Sequence, residues 1–402
     1  MEKLFYTDPA ITDFSAKVLS CRQADAAYHL HGKPQYEILL NRTAFFPEEG
    51  GQGADSGTLN DIPVSDVQIR EDCIYHILPV PLSEGETVTG HVDWKQRFDY
   101  MQQHSGEHIL SGLVHRTFGY DNVGFHLGKE EVTLDFNGML SADQLAVLEK
   151  EACEVIFRNL PVRIWYPDPE ELSQLTYRSK LDLTENVRIV EIPGVDICAC
   201  CAPHVESTGQ IGLLKILDAQ SHRGGIRIRI ACGGRALSHF RTCQESVSDI
   251  SVLLSIKPEA VENGVKQLKE ENRHLKEQKN ALQKDLLALK VQLLSSPDDS
   301  PNAFLFTGSF DTIALRNCIN DLTERYSGLC GIFAEKEGTQ TKELKAPACY
   351  NFIIGSSHQD CRKIGNQLKE RFHAKCGGSA PMIQGQICAA KEEITGFLAE
   401  IL

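Results

Sequence analysis

No stretch of this 402-residue chain is apolar for the roughly 18 residues a membrane-crossing helix requires, so a membrane partner is not expected. The opening Met1-Glu2-Lys3-Leu4 leads into no apolar segment of the secretory type, which makes a cytoplasmic address the default. An overall basic field is also missing. The net charge is −14, so a nucleic-acid partner would have to be held by local basic clusters. No GK[ST] tripeptide follows a glycine-rich turn, which excludes a P-loop.

What is present is ordinary for a folded protein: 42% apolar and 24% charged residues in a chain long enough for two to four domains. The fourteen cysteines are scattered except for Cys198, Cys200 and Cys201, and in a cytoplasmic protein such a group points to metal before disulfides.

Residues 1–92 alternate short apolar runs with Gly, Asp and Asn turns ("YEILLNRTAFFP", "CIYHILPV"), which predicts a small N-terminal β-barrel or sandwich. Residues 93–243 turn helical from Trp94 to about Phe118. They then mix strand runs with a helix whose N-cap candidate is Ser141, as in an α+β domain. Over 250–296, Leu268, Leu275, Leu282 and Leu289 stand seven apart, with Val265, Asn272, Lys279, Leu286 and Leu293 at the companion heptad position. That is a coiled-coil pattern, which serves a dimer seam or an intramolecular packing face equally well. After the turn-rich "SSPDDSPN", residues 303–402 read as a small α/β domain with "KCGGSAP" as a loop. The fold class is thus α+β and multidomain, in four parts.

In "QQHSGEHIL", His104 and His108 are four apart, so on a helix both imidazoles leave one face. Alone, the pair is more often a solvated or core-satisfied one. "DICACCAPHVESTG" adds Cys200 and His204 at C-x-x-x-H spacing, and two histidines plus a cysteine and a histidine make a tetrahedral set suited to zinc. Cys198 and Cys201 are rivals on spacing. In "TAFFPEEGGQGADSG", Gly50 and Gly51 permit a tight turn beside the amide of Gln52.

The order "TAFFPEEGGQGADSG", "HSGEH", "VGFHLGKEEVTLDF", "CCAPHVESTGQIG" resembles the editing part of alanyl-tRNA synthetase and, more closely, the free-standing AlaX editing proteins. The resemblance covers residues 1 to about 240. The heptads and "CGGSAPMIQGQI" extend it to a helical linker and a DHH-associated C-terminal domain. It implies one Zn²⁺ per chain on His104, His108, Cys200 and His204. It also implies a substrate- and tRNA-contacting set comprising Thr43, Gly50, Gly51, Gln52, Gly377 and Gly378. "VGFHLG" stands where synthetases commonly carry a Gln-containing stretch, making His126 the candidate polar residue of the pocket, with Gln52 as a second orienting group. "CCAPH" replaces the synthetase "CGGTH", so a threonine hydroxyl is missing. The implied activity is zinc-dependent hydrolysis of a wrong amino acid, serine or glycine, from mischarged tRNA for alanine. A tRNA-binding protein with a purely structural zinc is the alternative, because four protein ligands ordinarily close a site. A phosphoesterase is disfavoured by the absence of any Asp-His-His. An intact synthetase is not expected, since the Gly-Gly-Gln motif falls within about 50 residues of Met1. Candidate RNA contacts are Arg223, Arg227, Arg229 and Arg235, then Lys363, Lys369, Arg371 and Lys375; the coiled coil and last domain could also form a homodimer.

Overall fold

The computed structural model describes residues 1–28, 33–179, 186–336 and 348–401. The chain divides into two units, Met1–Asp249 and Ile250–Leu402. In the first, the alternating segment forms β1 (Asp13–Gln23), β2 (Tyr36–Leu40), β3 (Gly57–Leu59), β4 (Ile62–Val64), β5 (Asp66–Arg70), β6 (Cys73–Leu78) and β7 (Thr87–Val92). Burial follows the period of two: Phe14, Ala16 and Val18 of β1 point into the core while the residues between them are exposed. The sheet order is β4-β3-β7-β1-β2-β6-β5, and Ser65 alone joins the two edge strands. The sheet therefore curls until its edges meet, a nearly closed barrel filled by Phe5, Phe45, Phe46, Ile38 and Leu40.

Behind it runs α1 (Trp94–Phe118), started by the Asp93 carboxylate, which accepts from the N–H groups of Lys95 and Gln96, and stopped by Gly119 in the left-handed conformation. Most of its middle, from Arg97 to Val114, is buried. Gly112 allows this closeness, because a Cβ there would lie 2.5 Å from the carbonyl oxygen of Val195. Around α1 lie β8 (Asn122–Leu127), β9 (Val132–Phe136), α2 (Ala142–Phe157), β10 (Arg163–Trp165), β11 (Ile189–Ile192), β12 (Asp196–Ala199), β13 (Leu214–His222) and β14 (Gly225–Cys232). They form an antiparallel sheet β8-β9-β14-β13 and a smaller one β10-β11-β12. Ser141 does cap α2, in a capping box with Gln144. The last helix to begin in this unit is α3 (Gly233–Leu254), whose final residues, from Ile250, fall in the second.

In the second unit, the heptad segment is interrupted by a turn at Ser255–Lys257 ahead of Pro258, and then forms the 32-residue α4 (Val261–Gln292). Its C-terminal end packs through Leu287 on Leu305, Leu315 and Leu322. Leu268, Leu275, Leu282 and Leu289 remain 53–69% exposed. The last domain contains β15 (Ala303–Thr307), α5 (Thr312–Arg325), β16 (Cys330–Glu335), β17 (Cys349–Gly355), α6 (Cys361–Phe372), β18 (Lys375–Ser379), β19 (Met382–Cys388) and α7 (Lys391–Ile401), with sheet order β15-β16-β17-β19-β18. "KCGGSAP" is therefore not a loop. Lys375–Ser379 is an edge strand that a tight turn folds onto β19, where glycines cost little because one side of the strand is open. A disulfide unforeseen from sequence joins Cys349 and Cys388, opposite one another on β17 and β19.

Candidate metal centre

His104 and His108 leave the same face of α1 with ring centroids 5.4 Å apart. The turn after β12 carries Cys200 and His204 to that face. Arg188 holds the turn by donating to the carbonyls of Cys200 and Ala202 at 2.8 and 2.9 Å. The His204 ring lies 4.9 Å from that of His104 and 4.6 Å from that of His108. Cys200 Sγ is 3.5 Å from His104 Nε2 and 3.4 Å from His204 Nε2, and one donor atom from each of the four residues falls within 4.8 Å of the others.

Each imidazole is fixed through its other nitrogen. His104 Nδ1 lies 2.8 Å from Gln52 Oε1, His108 Nδ1 2.9 Å from Asp196 Oδ2, and His204 Nδ1 3.1 Å from Ser105 Oγ. Gln52 Oε1 can only accept, so His104 carries its proton on Nδ1 and presents a lone pair on Nε2. Asp196 is itself clamped by Arg178, whose Nε and Nη2 donate to it at 2.7 and 2.8 Å. Burial would raise the Asp196 pKa, but Arg178 and His108 hold it down at about 2, so it stays ionised. Carboxylate-oriented imidazoles of this kind are the usual outer layer of a metal site.

The electrostatics also select among the cysteines. Burial raises the pKa of all three, yet His104 beside it draws that of Cys200 well below the ordinary thiol value, favouring the thiolate. Cys198 is pushed up to about 11 and Cys201 is raised further, in both cases mainly by burial. Cys201 Sγ turns toward Gly50 and the barrel core. Burial lowers His204 to about 3, keeping it the neutral imidazole a metal needs. Donor atoms of His108, Asp196 and Cys198 also cluster, but that set shares His108, and Asp196 is committed to Arg178. Three imidazoles and one thiolate fit zinc by donor chemistry.

The glycine turn supplies Gln52. Gly50 and Gly51 have φ of 63° and 85°, and the Gly51 carbonyl accepts from Leu127 N–H at 2.7 Å while Gly53 N–H donates to the Leu127 carbonyl at 3.2 Å. A Cβ on Gly51 would sit 2.4 Å from the Phe125 carbonyl oxygen, so only glycine lets the turn lie against β8. Gln52 is fully buried, and its Nε2 has no partner among the described residues. A buried amide donor without an acceptor is where a ligand oxygen would be stabilised.

The remaining expected residues lie elsewhere. Thr43 is buried in the barrel, with Oγ1 2.8 Å from His76 Nε2. His126 is exposed on β8, whereas the preceding Phe125 packs its ring 4.8 Å from that of His104. Gly377 and Gly378 are on edge strand β18 of the second unit. Arg227, Arg229 and Arg235 are committed to Asp135, Asp218 and Asp99, whereas Lys363, Lys369, Arg371 and Lys375 are exposed. Arg178, Asp196 and Ser105 went unread because no spacing ties them to the histidines they orient. Among the described residues, no helix is long and apolar enough to cross a membrane.

Residues 187–230 match the threonyl and alanyl tRNA synthetase second additional domain, and residues 2–96 match the class II (A) tRNA synthetases. The alanyl-tRNA editing protein Aarsd1 of Rattus norvegicus is 30% identical over 397 residues, covering 96% of this chain and 94% of its own. The alanyl-tRNA editing protein AlaX-L of Pyrococcus horikoshii is 32% identical over 249 residues, and the match spans 59% of each chain. An alanine–tRNA ligase of Ignicoccus hospitalis is 29% identical over 288 residues, 68% of this chain and 30% of the ligase.

Proposed function

This chain belongs to the family of alanyl-tRNA editing proteins, and on that premise we propose that it is a cytoplasmic, zinc-dependent deacylase that hydrolyses serine from tRNA for alanine. The observation that carries the reading is the convergence of His104, His108, His204 and Cys200 within 4.8 Å, each imidazole anchored through its far nitrogen. These residues would hold one Zn²⁺ per chain. When bound, zinc supplies Lewis acidity for an ester carbonyl or a more acidic water.

The chain's own residues account for the rest. Gln52 Nε2, buried without an acceptor, donates to an oxygen of the seryl group. Alanine lacks the hydroxyl, so a site built to bond that group leaves a buried polar atom unpaired when alanine enters, and discrimination follows. The exposed Lys363, Lys369, Arg371 and Lys375, with the adjoining glycines Gly377 and Gly378, hold the tRNA backbone, and α4 offers a homodimer seam. The four-ligand count favours a second reading, a tRNA-binding protein with a structural zinc.

The test is hydrolysis of serine-charged and alanine-charged tRNA for alanine by the wild type and by His104→Ala plus Cys200→Ala. The wild type clears the seryl ester well above the buffer rate and spares the alanyl ester, and the double variant loses zinc and at least 100-fold in rate. A seryl ester no less stable with protein than without it selects the second reading. A fully active double variant overturns the zinc assignment.

A further inference from the structure

Among the polar residues of "HSGEH", the ligand set leaves Glu107 without a role. Read in full, the segment is His-x-x-Glu-His, the reverse of the His-Glu-x-x-His helix in which a glutamate beside a zinc-binding histidine takes the proton of the attacking water. Glu107 follows His104 by three residues and so sits on the flank of the ligand-bearing face of α1. It is only 4% exposed. A carboxylate is costly to bury unless its charge is used or well bonded.

Two donors from different elements hold one of its oxygens. Ser111 Oγ–H and Asn122 Nδ2–H both donate to Glu107 Oε1 at 2.6 Å, and Asn122 Nδ2 lies 3.0 Å from Ser111 Oγ. Ser111 comes from the next turn of α1 and Asn122 from the start of β8, so rigid elements on two sides pin the same oxygen. The other oxygen, Oε2, lies 3.9 Å from His108 Nε2. That nitrogen is the one not bonded to Asp196, and so it faces the donor cluster. Glu107 is outside the four-residue donor set itself. It stands beside the ligands without being one.

We propose that Glu107 is the general base of the deacylation, an inference that rests on the deacylase reading above. Glu107 takes a proton from a water whose oxygen forms a bond to the ester carbonyl carbon, giving a tetrahedral adduct. The adduct collapses with cleavage of the bond between that carbon and the ribose oxygen, and the proton on Glu107 passes to the departing ribose oxygen. The products are the free amino acid and tRNA with its terminal hydroxyl restored, and Glu107 is a carboxylate again. Ser111 and Asn122 are positioning residues: they keep Oε2 turned toward the cluster while the proton moves.

The experiment compares wild type, Glu107→Gln and Glu107→Asp in four measurements. These are hydrolysis of serine-charged tRNA for alanine, zinc content, melting temperature, and affinity for the same tRNA carrying serine through a non-hydrolysable amide. Glu107→Gln keeps the shape and the bond from Ser111. It is expected to retain one zinc per chain, the melting temperature and the amide affinity within about twofold, while hydrolysis falls by 10²- to 10⁴-fold, the usual contribution of a positioned base. Glu107→Asp, which withdraws the charge by one methylene, is expected to keep zinc and lose at least about tenfold in rate. Hydrolysis by Glu107→Gln within threefold of wild type overturns the proposal. So does loss of zinc or of amide affinity in step with the rate, which makes Glu107 a structural tie. If Glu107→Gln fails to fold, a fully active Glu107→Asp overturns it and an impaired one that holds its zinc upholds it. A wild type without seryl-ester hydrolysis removes the deacylase reading and this inference together, whereas an active wild type with an equally active Glu107→Gln removes the inference alone.

Discussion

Two long helices, α1 of 25 residues and α4 of 32, read alike as periodic segments and are used in opposite ways. The middle of α1 is enclosed on all sides, and its polar residues are tied to partners distant in sequence: His104 to Gln52, His108 to Asp196, Gln103 to Cys232, Arg97 to Asp55. In α4 only Leu287 is buried among the described residues, and its charges pair along its own surface, as Arg273 does with Glu270 and Glu277. Burial turns polar side chains into fixed geometry, because each must be matched or it destabilises the fold. An exposed helix carries the same residue types without that constraint. A catalytic constellation is therefore expected on α1, and a spacer or association surface on α4.

The largest expected stability effect sharpens that contrast. Arg97 is fully buried, donates to Asp55 through Nε at 3.0 Å, and reaches the carbonyls of Pro9 and Ala44 at 2.9 and 2.6 Å; Asp55 in turn accepts from Phe46 N–H at 2.6 Å. Arg97→Ala leaves the Asp55 charge buried and unpaired and should cost about 3–5 kcal/mol, read from the denaturant midpoint. Arg273→Ala on α4 should leave the melting temperature unchanged, since exposed pairs are screened by solvent. Equal effects at the two positions would break the comparison.

Acid should also act on the enclosed side. His76 is buried in the barrel between Thr43 Oγ1 and the Ile38 carbonyl, and burial lowers its pKa from 6.5 to about 4. Between those values the unfolded chain binds a proton that the folded chain does not. Stability is thus full above pH 6.5 and falls as pH drops toward 4, by roughly 3 kcal/mol in all. Denaturant midpoints between pH 7 and 4.5 measure the slope, and His76→Gln, which can bond to Thr43 and Ile38 without taking a charge, should flatten it. An unchanged slope in that variant would assign the acid response to other groups.

These cases show what can be read from sequence and what cannot. The barrel, α1, the Ser141 cap and the spacing of His104, His108, Cys200 and His204 are local patterns, set by a strand period of two or by steps of three and four along the chain. The choice of Cys200 over Cys198 and Cys201 was not local. It depends on which way a turn held by Arg188 faces, and only family resemblance pointed to it. Phe125 and His126 are a similar case: strand alternation says that one of the two faces the site but not which, and Phe125 is the one packed on His104. Asp196 and Arg178 carry no spacing signal, because a hydrogen bond to His108 spans 88 residues of chain. Glycines in "KCGGSAP" suggested a loop, yet pairing with β19 overrides their propensity at an edge.

The smallest expected effect on the fold concerns α4 itself. Leu275 and Leu282 lie on the heptad stripe and are exposed, so Leu275→Gln plus Leu282→Gln removes no buried side chain from the cores formed by the described residues. The melting temperature should stay put, with a change within about 0.5 kcal/mol. Association is another matter. A helix of this length with most of its surface in water gains stability mainly by packing an apolar stripe, and Asn272 and Lys279 within the stripe suit a seam with one register. If that stripe pairs between copies, the wild type sediments as a dimer at micromolar concentration and the double variant as a monomer with seryl-tRNA hydrolysis retained. A monomeric wild type leaves α4 as a solvated spacer. A dimeric double variant places the contact on another surface.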